Sequence, residues 1–138
     1  MNTTPISEIM ARQVYFIPIE EDVIKARNMM DKYEINHLPV LDDGRLVGIL
    51  SRNDLNQVAF LCDFVGERLE ESTVFKSLSV QELMTEKVQS ISIDSTIMEA
   101  VQAFSNASFQ CLPILDNGEL AGIVTTKDVF SFIMTNQD

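Results

Sequence analysis

The stretch LPVLDDGRLVGILSRND occupies residues 38–54, and LPILDNGELAGIVTTKD returns at 112–128. Pro39 and Pro113 stand 74 residues apart. The same offset, without a gap, pairs Met10 with Met84, Val14 with Val88, Ile17 with Ile91 and Ala26 with Ala100. It also pairs Gly44 with Gly118, Gly48 with Gly122 and Asp54 with Asp128. A register held over segments this far apart marks an internal duplication. Two copies are too few for a solenoid, so the expected arrangement is a pair related by a pseudo-twofold axis. The sequence divides into copy one with a linker helix, 1–70, and copy two, 71–138.

Each copy reads as β-α-β-β-α, giving an α/β (α+β) fold class. Pro5 in copy one and Ser79 in copy two begin short helical turns. Strands are expected at 14–17 and 88–91. Val23, Ala26, Met30 and Tyr33 share one helical face, matched by Ile97, Ala100, Phe104 and Ala107, with Asp22 and Thr96 as N-caps. LPVL and LPIL are short apolar strands. Asp42-Asp43-Gly44 and Asp116-Asn117-Gly118 are hairpin turns, because Asp-Gly and Asn-Gly tolerate positive φ. Return strands at 46–50 and 120–124 lead to second helices opened by Ser51 and Thr125. The helix after Asp54 is apolar on two sides: Leu55, Val58, Ala59, Cys62, Val65 and Leu69 on one, Phe60, Leu61 and Phe64 on the other. Such a helix is expected to be covered twice. Residues 67–71 and the following STVFKS are expected to form the linker.

Ten basic and 21 acidic residues give a net charge of −11. An acidic surface repels nucleic acid and anionic lipid, so neither is an expected partner. No apolar run is long enough to span a membrane, and the N-terminus has no signal-peptide pattern, which points to the cytoplasm. Cys62 and Cys111 are expected to be reduced core residues.

The paired EIM and ELM segments, the HLPVLDDG and CLPILDNG hairpins, and GILSRND and GIVTTKD resemble a pair of CBS (cystathionine-β-synthase) domains, the arrangement called a Bateman module. The resemblance runs from about residue 6 to 133. It implies a regulatory, energy-sensing module for adenine derivatives such as AMP, ADP, ATP or S-adenosylmethionine, with no required cofactor. It further implies a flat homodimer through the helices. One departure is visible: the family often has Ser or Thr late in the first strand, which Ser90 fits and Phe16 does not.

The repeated G-x-x-[ST]-x-x-D holds Gly48, Ser51 and Asp54, then Gly122, Thr125 and Asp128. Glycine inside a strand marks a close approach of ligand or backbone. Ser or Thr at a helix start sets a hydroxyl beside N–H donors that attract phosphate, and a carboxylate one turn in can accept from ribose hydroxyls. The alternative is that these residues only cap their helices. Arg52, Lys127 and His37 are the cationic candidates. The candidate nucleotide site thus draws on Phe16, Ile17, His37, Pro39, Gly48, Ser51, Arg52 and Asp54, and on Ser90, Ile91, Pro113, Gly122, Thr125, Thr126, Lys127 and Asp128.

No nucleophile–base–orienter set is visible, so an enzyme is not expected; nor is a calcium loop or other metal site. The expected function is a regulatory module that signals to a separate effector protein. The alternative is a dimerisation scaffold whose ligand sites are idle.

Overall fold

The computed structural model describes residues 3–64, 70–106 and 108–136. After a 3-10 turn at Ile6–Glu8, the elements run β1 (Ile17–Pro18), α1 (Val23–Tyr33), β2 (His37–Asp42), β3 (Arg45–Ser51) and α2 (Arg52–Phe64). They continue as α3 (Glu71–Ser77), α4 (Val80–Leu83), β4 (Ile91–Ser92), α5 (Ile97–Ser105), β5 (Cys111–Asp116), β6 (Glu119–Thr125) and α6 (Thr126–Thr135). The β-α-β-β-α order therefore occurs twice.

Each copy builds a three-stranded sheet, β1-β2-β3 and β4-β5-β6, with the first pair parallel and the second antiparallel. The hairpin turns place Asp43 (φ 51°) and Gly44 (φ 81°), then Asn117 (φ 51°) and Gly118 (φ 84°), in the left-handed region. Two consecutive positive φ values are what a two-residue hairpin with native twist demands. Asp22 caps α1 by accepting from Lys25 N at 2.8 Å, and Thr96 caps α5 by accepting from Glu99 N at 3.2 Å.

The first strands are shorter and later than the apolar pattern suggests. Pairing starts only at Ile17↔Val40 and Ile91↔Ile114. It ends at once because the chain turns over into a helix, with Glu21 N donating to Pro18 O and Ser95 N to Ser92 O. The STVFKS stretch is also not a plain linker. It forms most of α3, whose Phe75 is buried to 1% exposure. A seven-residue helix is marginal alone, so burial of this ring, worth about 1.5–3 kcal/mol, holds it in place. Ala107, Val65, Leu69 and residues 67–69 of the expected linker lie outside the described residues.

The chain folds into two compact units that do not coincide with the division at 70/71. One is continuous, Tyr15–Val88; the other is discontinuous, Met1–Val14 with Gln89–Asp138. The reason lies at the outer edges of β3 and β6. In the continuous unit Ile49 and Thr85 exchange both backbone hydrogen bonds, at 3.1 and 2.9 Å. In the discontinuous unit Ala11 and Ile123 do the same, at 2.9 and 3.1 Å. The segment that leads into each copy thus completes the sheet of the other copy.

The continuous unit's core gathers Ile17, Val23, Ala26, Met30, Leu38, Val40, Leu50, Leu55, Val58, Cys62, Phe75 and Val80. The discontinuous unit's core gathers Ile6, Met10, Ile97, Ala100, Leu112, Ile114, Val124 and Val129. Both cysteines are free and buried. Among the described residues no helix is long and apolar enough to cross a membrane.

Candidate functional site

The repeated trio sits where a return strand runs directly into a helix. Ser51 ends β3, and Asp54 lies in the first turn of α2. Asp54 N donates to Ser51 Oγ at 3.1 Å, and Ser51 N donates to Asp54 Oδ2 at 2.8 Å. In the discontinuous unit Asp128 N donates to Thr125 Oγ1 at 3.3 Å, and Thr125 N to Asp128 Oδ2 at 2.9 Å. Both trios are reciprocal capping boxes. Each carboxylate is fixed through Oδ2, while its Oδ1 accepts no hydrogen bond among the described residues.

The helix starts are already partly supplied with acceptors. Arg52 N donates to Asn36 O at 2.8 Å and Thr126 N to Gln110 O at 3.1 Å. Together with the capping hydroxyl, two of the first three N–H groups of each helix are used. The donors that would attract a phosphate are correspondingly fewer than the sequence pattern suggests. Nothing in the sequence marked Asn36 or Gln110 for this role.

The register aligns the other candidates. His37 lies opposite Ser51 and Pro39 opposite Ile49, while Gly48 pairs Val40, which pairs Ile17 on the far side. In the discontinuous unit Cys111 lies opposite Thr125, Pro113 opposite Ile123, and Gly122 pairs Ile114, which pairs Ile91. Phe16, just before β1, leaves 45% of its surface exposed. Ser90, the matching residue before β4, is half-buried.

Backbone and thioether atoms approach both glycines closely. A Cβ on Gly48 would collide with the Met84 side chain and stand 3.0 Å from Thr85 O. A Cβ on Gly122 would stand 2.6 Å from Met10 Sδ and 3.1 Å from Ala11 O. The duplicated methionines of EIM and ELM thus cover the duplicated glycines, a role their alignment marked without revealing.

The cationic candidates differ in availability. The Arg52 guanidinium is held by Asp31 Oδ1 at 2.7 Å, Asn36 Oδ1 at 3.1 Å and Ile35 O at 3.1 Å, which ties α2 to the end of α1. Burial draws the His37 pKa below its usual value, and the nearby Asp54 charge only partly opposes this. Its imidazole is therefore mainly neutral at pH 7. Lys127 is exposed and forms no ion pair among the described residues. Burial, reinforced by Asp128, pushes the Cys111 thiol up to about 12.

The family model of the CBS domain matches residues 6–59 and 80–135. The chain belongs to the CBS domain family. The CBS domain pair of protein MJ0100, solved in complex with 5′-methylthioadenosine and S-adenosyl-L-methionine, superposes with a TM-score of 0.80 at 21% identity, covering 98% of this chain and 99% of that one. CBSX2, solved in complex with AMP, superposes with a TM-score of 0.76 at 21% identity, covering 96% and 97%. At this identity the likeness establishes the shared fold of a CBS pair. Inosine-5′-monophosphate dehydrogenase of Staphylococcus epidermidis is 30% identical over 119 residues, which are 83% of this chain but 21% of the dehydrogenase. The chain thus spans about a fifth of the length of that relative.

Proposed function

We propose that this CBS pair is a non-catalytic regulatory module that binds adenosyl ligands and transmits their occupancy to a partner protein. The observation that carries the reading is the repeated capping box. In both units an aspartate is locked by one oxygen and presents the other beside a half-buried hydroxyl residue. A carboxylate so oriented can accept from a ribose hydroxyl without having to be ordered first. The ligands named for CBSX2 and MJ0100 supply the chemical class.

Among AMP, ADP, ATP and S-adenosylmethionine, the electrostatics favour the least anionic. The chain carries a charge of −11. In the continuous unit Arg52 is engaged and His37 is neutral, so a triphosphate finds no free cation among the described candidates there. Calorimetric titration with all four ligands and 5′-methylthioadenosine tests this. The expected order places S-adenosylmethionine or methylthioadenosine ahead of ATP. Absence of binding by every ligand at millimolar concentration would leave the scaffold reading in its place.

The same reading includes a homodimer in the cytoplasm. Leu61 on α2, and Phe130 and Met134 on α6, leave 56%, 62% and 74% of their surfaces exposed. Large exposed apolar side chains grouped on helices mark contact surfaces.

A further inference from the structure

The continuous unit has a concavity lined by residues of α1, α2 and α3; it shares Arg52 with the candidate nucleotide site but contains neither Ser51 nor Asp54. Its volume is about 150 Å³, room for roughly five waters and well below the range of about 300–1,000 Å³ for drug-sized ligands. One wall carries Arg27, whose guanidinium lies over the Phe75 ring at 4.8 Å. The cation rests on the ring face, and Arg27 makes no hydrogen bond or ion pair among the described residues, so its N–H donors are unused. Asn56 on α2 and Glu71 on α3 also line the cleft, and Glu71 forms no ion pair among the described residues. Leu55, Ala59 and Phe75 also line the cleft, Leu55 and Phe75 almost wholly covered by their neighbours. The remaining charges of the cleft, Arg52 and Asp31, neutralise each other at 2.7 Å.

We propose that this cleft binds a free α-amino acid with a small side chain. Arg27 and Asn56 take the carboxylate, Glu71 takes the ammonium group, and the small side chain lies against the half-buried Ala59. A guanidinium fork matches a carboxylate in two parallel hydrogen bonds. A dianion such as phosphate would be repelled by Glu71, and a simple cation by Arg27. A zwitterion satisfies both unpaired charges at once. Because its ends attach to α1 and α3, it also clamps α3 onto the helix it covers. This assignment does not depend on the adenosyl reading.

The test is amide-resolved NMR of the whole chain titrated with L-alanine and L-valine, with propionate, N-acetyl-L-alanine and inorganic phosphate as comparison probes. Saturable shifts confined to α1, α2 and α3, with slower hydrogen exchange in α3, are expected for the two amino acids. Propionate and N-acetyl-L-alanine should bind at least tenfold more weakly, because each lacks the ammonium group. Arg27→Lys keeps a cation over the ring but loses the fork, and should weaken alanine about tenfold to a hundredfold. Glu71→Gln should abolish the preference for alanine over propionate without altering the fold. The proposal is overturned if alanine and valine cause no localised shifts at millimolar concentration, if phosphate or propionate binds as well as alanine, or if Glu71→Gln leaves the preference intact.

Discussion

The side chain of Met84 lies over Gly48 so closely that the two leave no space for a Cβ. The same thioether-on-glycine contact joins Met10 and Gly122. Gly48→Ala should therefore destabilise the protein by about 1–3 kcal/mol, the usual cost of overpacking. Met84→Ala in the same chain relieves the thioether clash, though not the approach of Thr85 O at 3.0 Å. Chemical denaturation should show the double variant less destabilised than the sum of the two singles. Additive losses would show that Met84 is not what Gly48 accommodates.

Asp54 and Asp128 each serve a helix through Oδ2, and under the proposed function a ribose through Oδ1. Asp54→Ala and Asp128→Ala should each cost about 0.3–1.5 kcal/mol of stability from the lost capping box. Each should also weaken its own site about tenfold to a hundredfold. A 2′- or 3′-deoxy ligand should bind the native protein more weakly, and the alanine variants should barely distinguish it. Equal affinity of deoxy and normal ligands for the native protein would reduce both aspartates to helix caps.

His37 gives the stability a sign with pH. Its folded pKa lies below the ordinary 6.5 because burial disfavours the charged ring. The unfolded chain therefore takes up the proton first as pH falls, and the native state loses stability below about pH 6.5. Urea titrations from pH 8 to 5 should show this loss shrink in His37→Gln, with no difference in slope above the histidine range. A steeper acid loss in the variant would reverse the assigned direction.

Cys111 behaves oppositely. Its thiol is pushed up to about 12 from 9.0, so the folded state holds its proton where the unfolded state has lost it. The resulting stability is complete below about pH 9 and is lost as pH rises toward 12. At pH 8.5 the folded protein should resist alkylation of Cys111 by iodoacetamide, while the denatured chain reacts readily. Rapid native-state labelling at this position, read by peptide mass, would contradict its burial.

The homodimer is tested at its exposed rings. Phe130→Asp should shift light scattering at tens of micromolar from dimer to monomer, with the circular dichroism spectrum unchanged. A monomeric native protein under these conditions would remove the dimer from the proposed function.

The duplication, the hairpins and the caps were legible because each rests on local chemistry: Asp-Gly and Asn-Gly need positive φ, and Asp22 and Thr96 reach their own helices. The trio Ser51–Asp54 and its twin were legible for the same reason. What the sequence could not display was set by distant partners. Phe75 turned an expected linker into a helix by finding a core to enter. Arg52 was drawn to Asp31 at the end of α1. Gly48 and Gly122 were recognised as points of close approach, but the approaching atoms belong to segments far along the chain. The first strands were overestimated because apolar content at Val14 and Val88 says nothing about where pairing begins.

The pairing of Ala11 with Ile123 has a consequence for how the molecule comes into being. The continuous unit, Tyr15–Val88, holds all its own strands and can close as soon as it leaves the ribosome. The segment before it must wait for an edge strand synthesised about 110 residues later, and contacts of such separation form slowly. Until then Ile6 and Met10, buried in the finished protein, have no core to enter and are open to proteases and chaperones. A circular permutant that begins at Tyr15 and joins Asp138 to Met1 would make both units contiguous. Its refolding should be faster than that of the native order, because the segment is then adjacent in sequence to the unit it completes, while the strand pairing within each sheet stays the same.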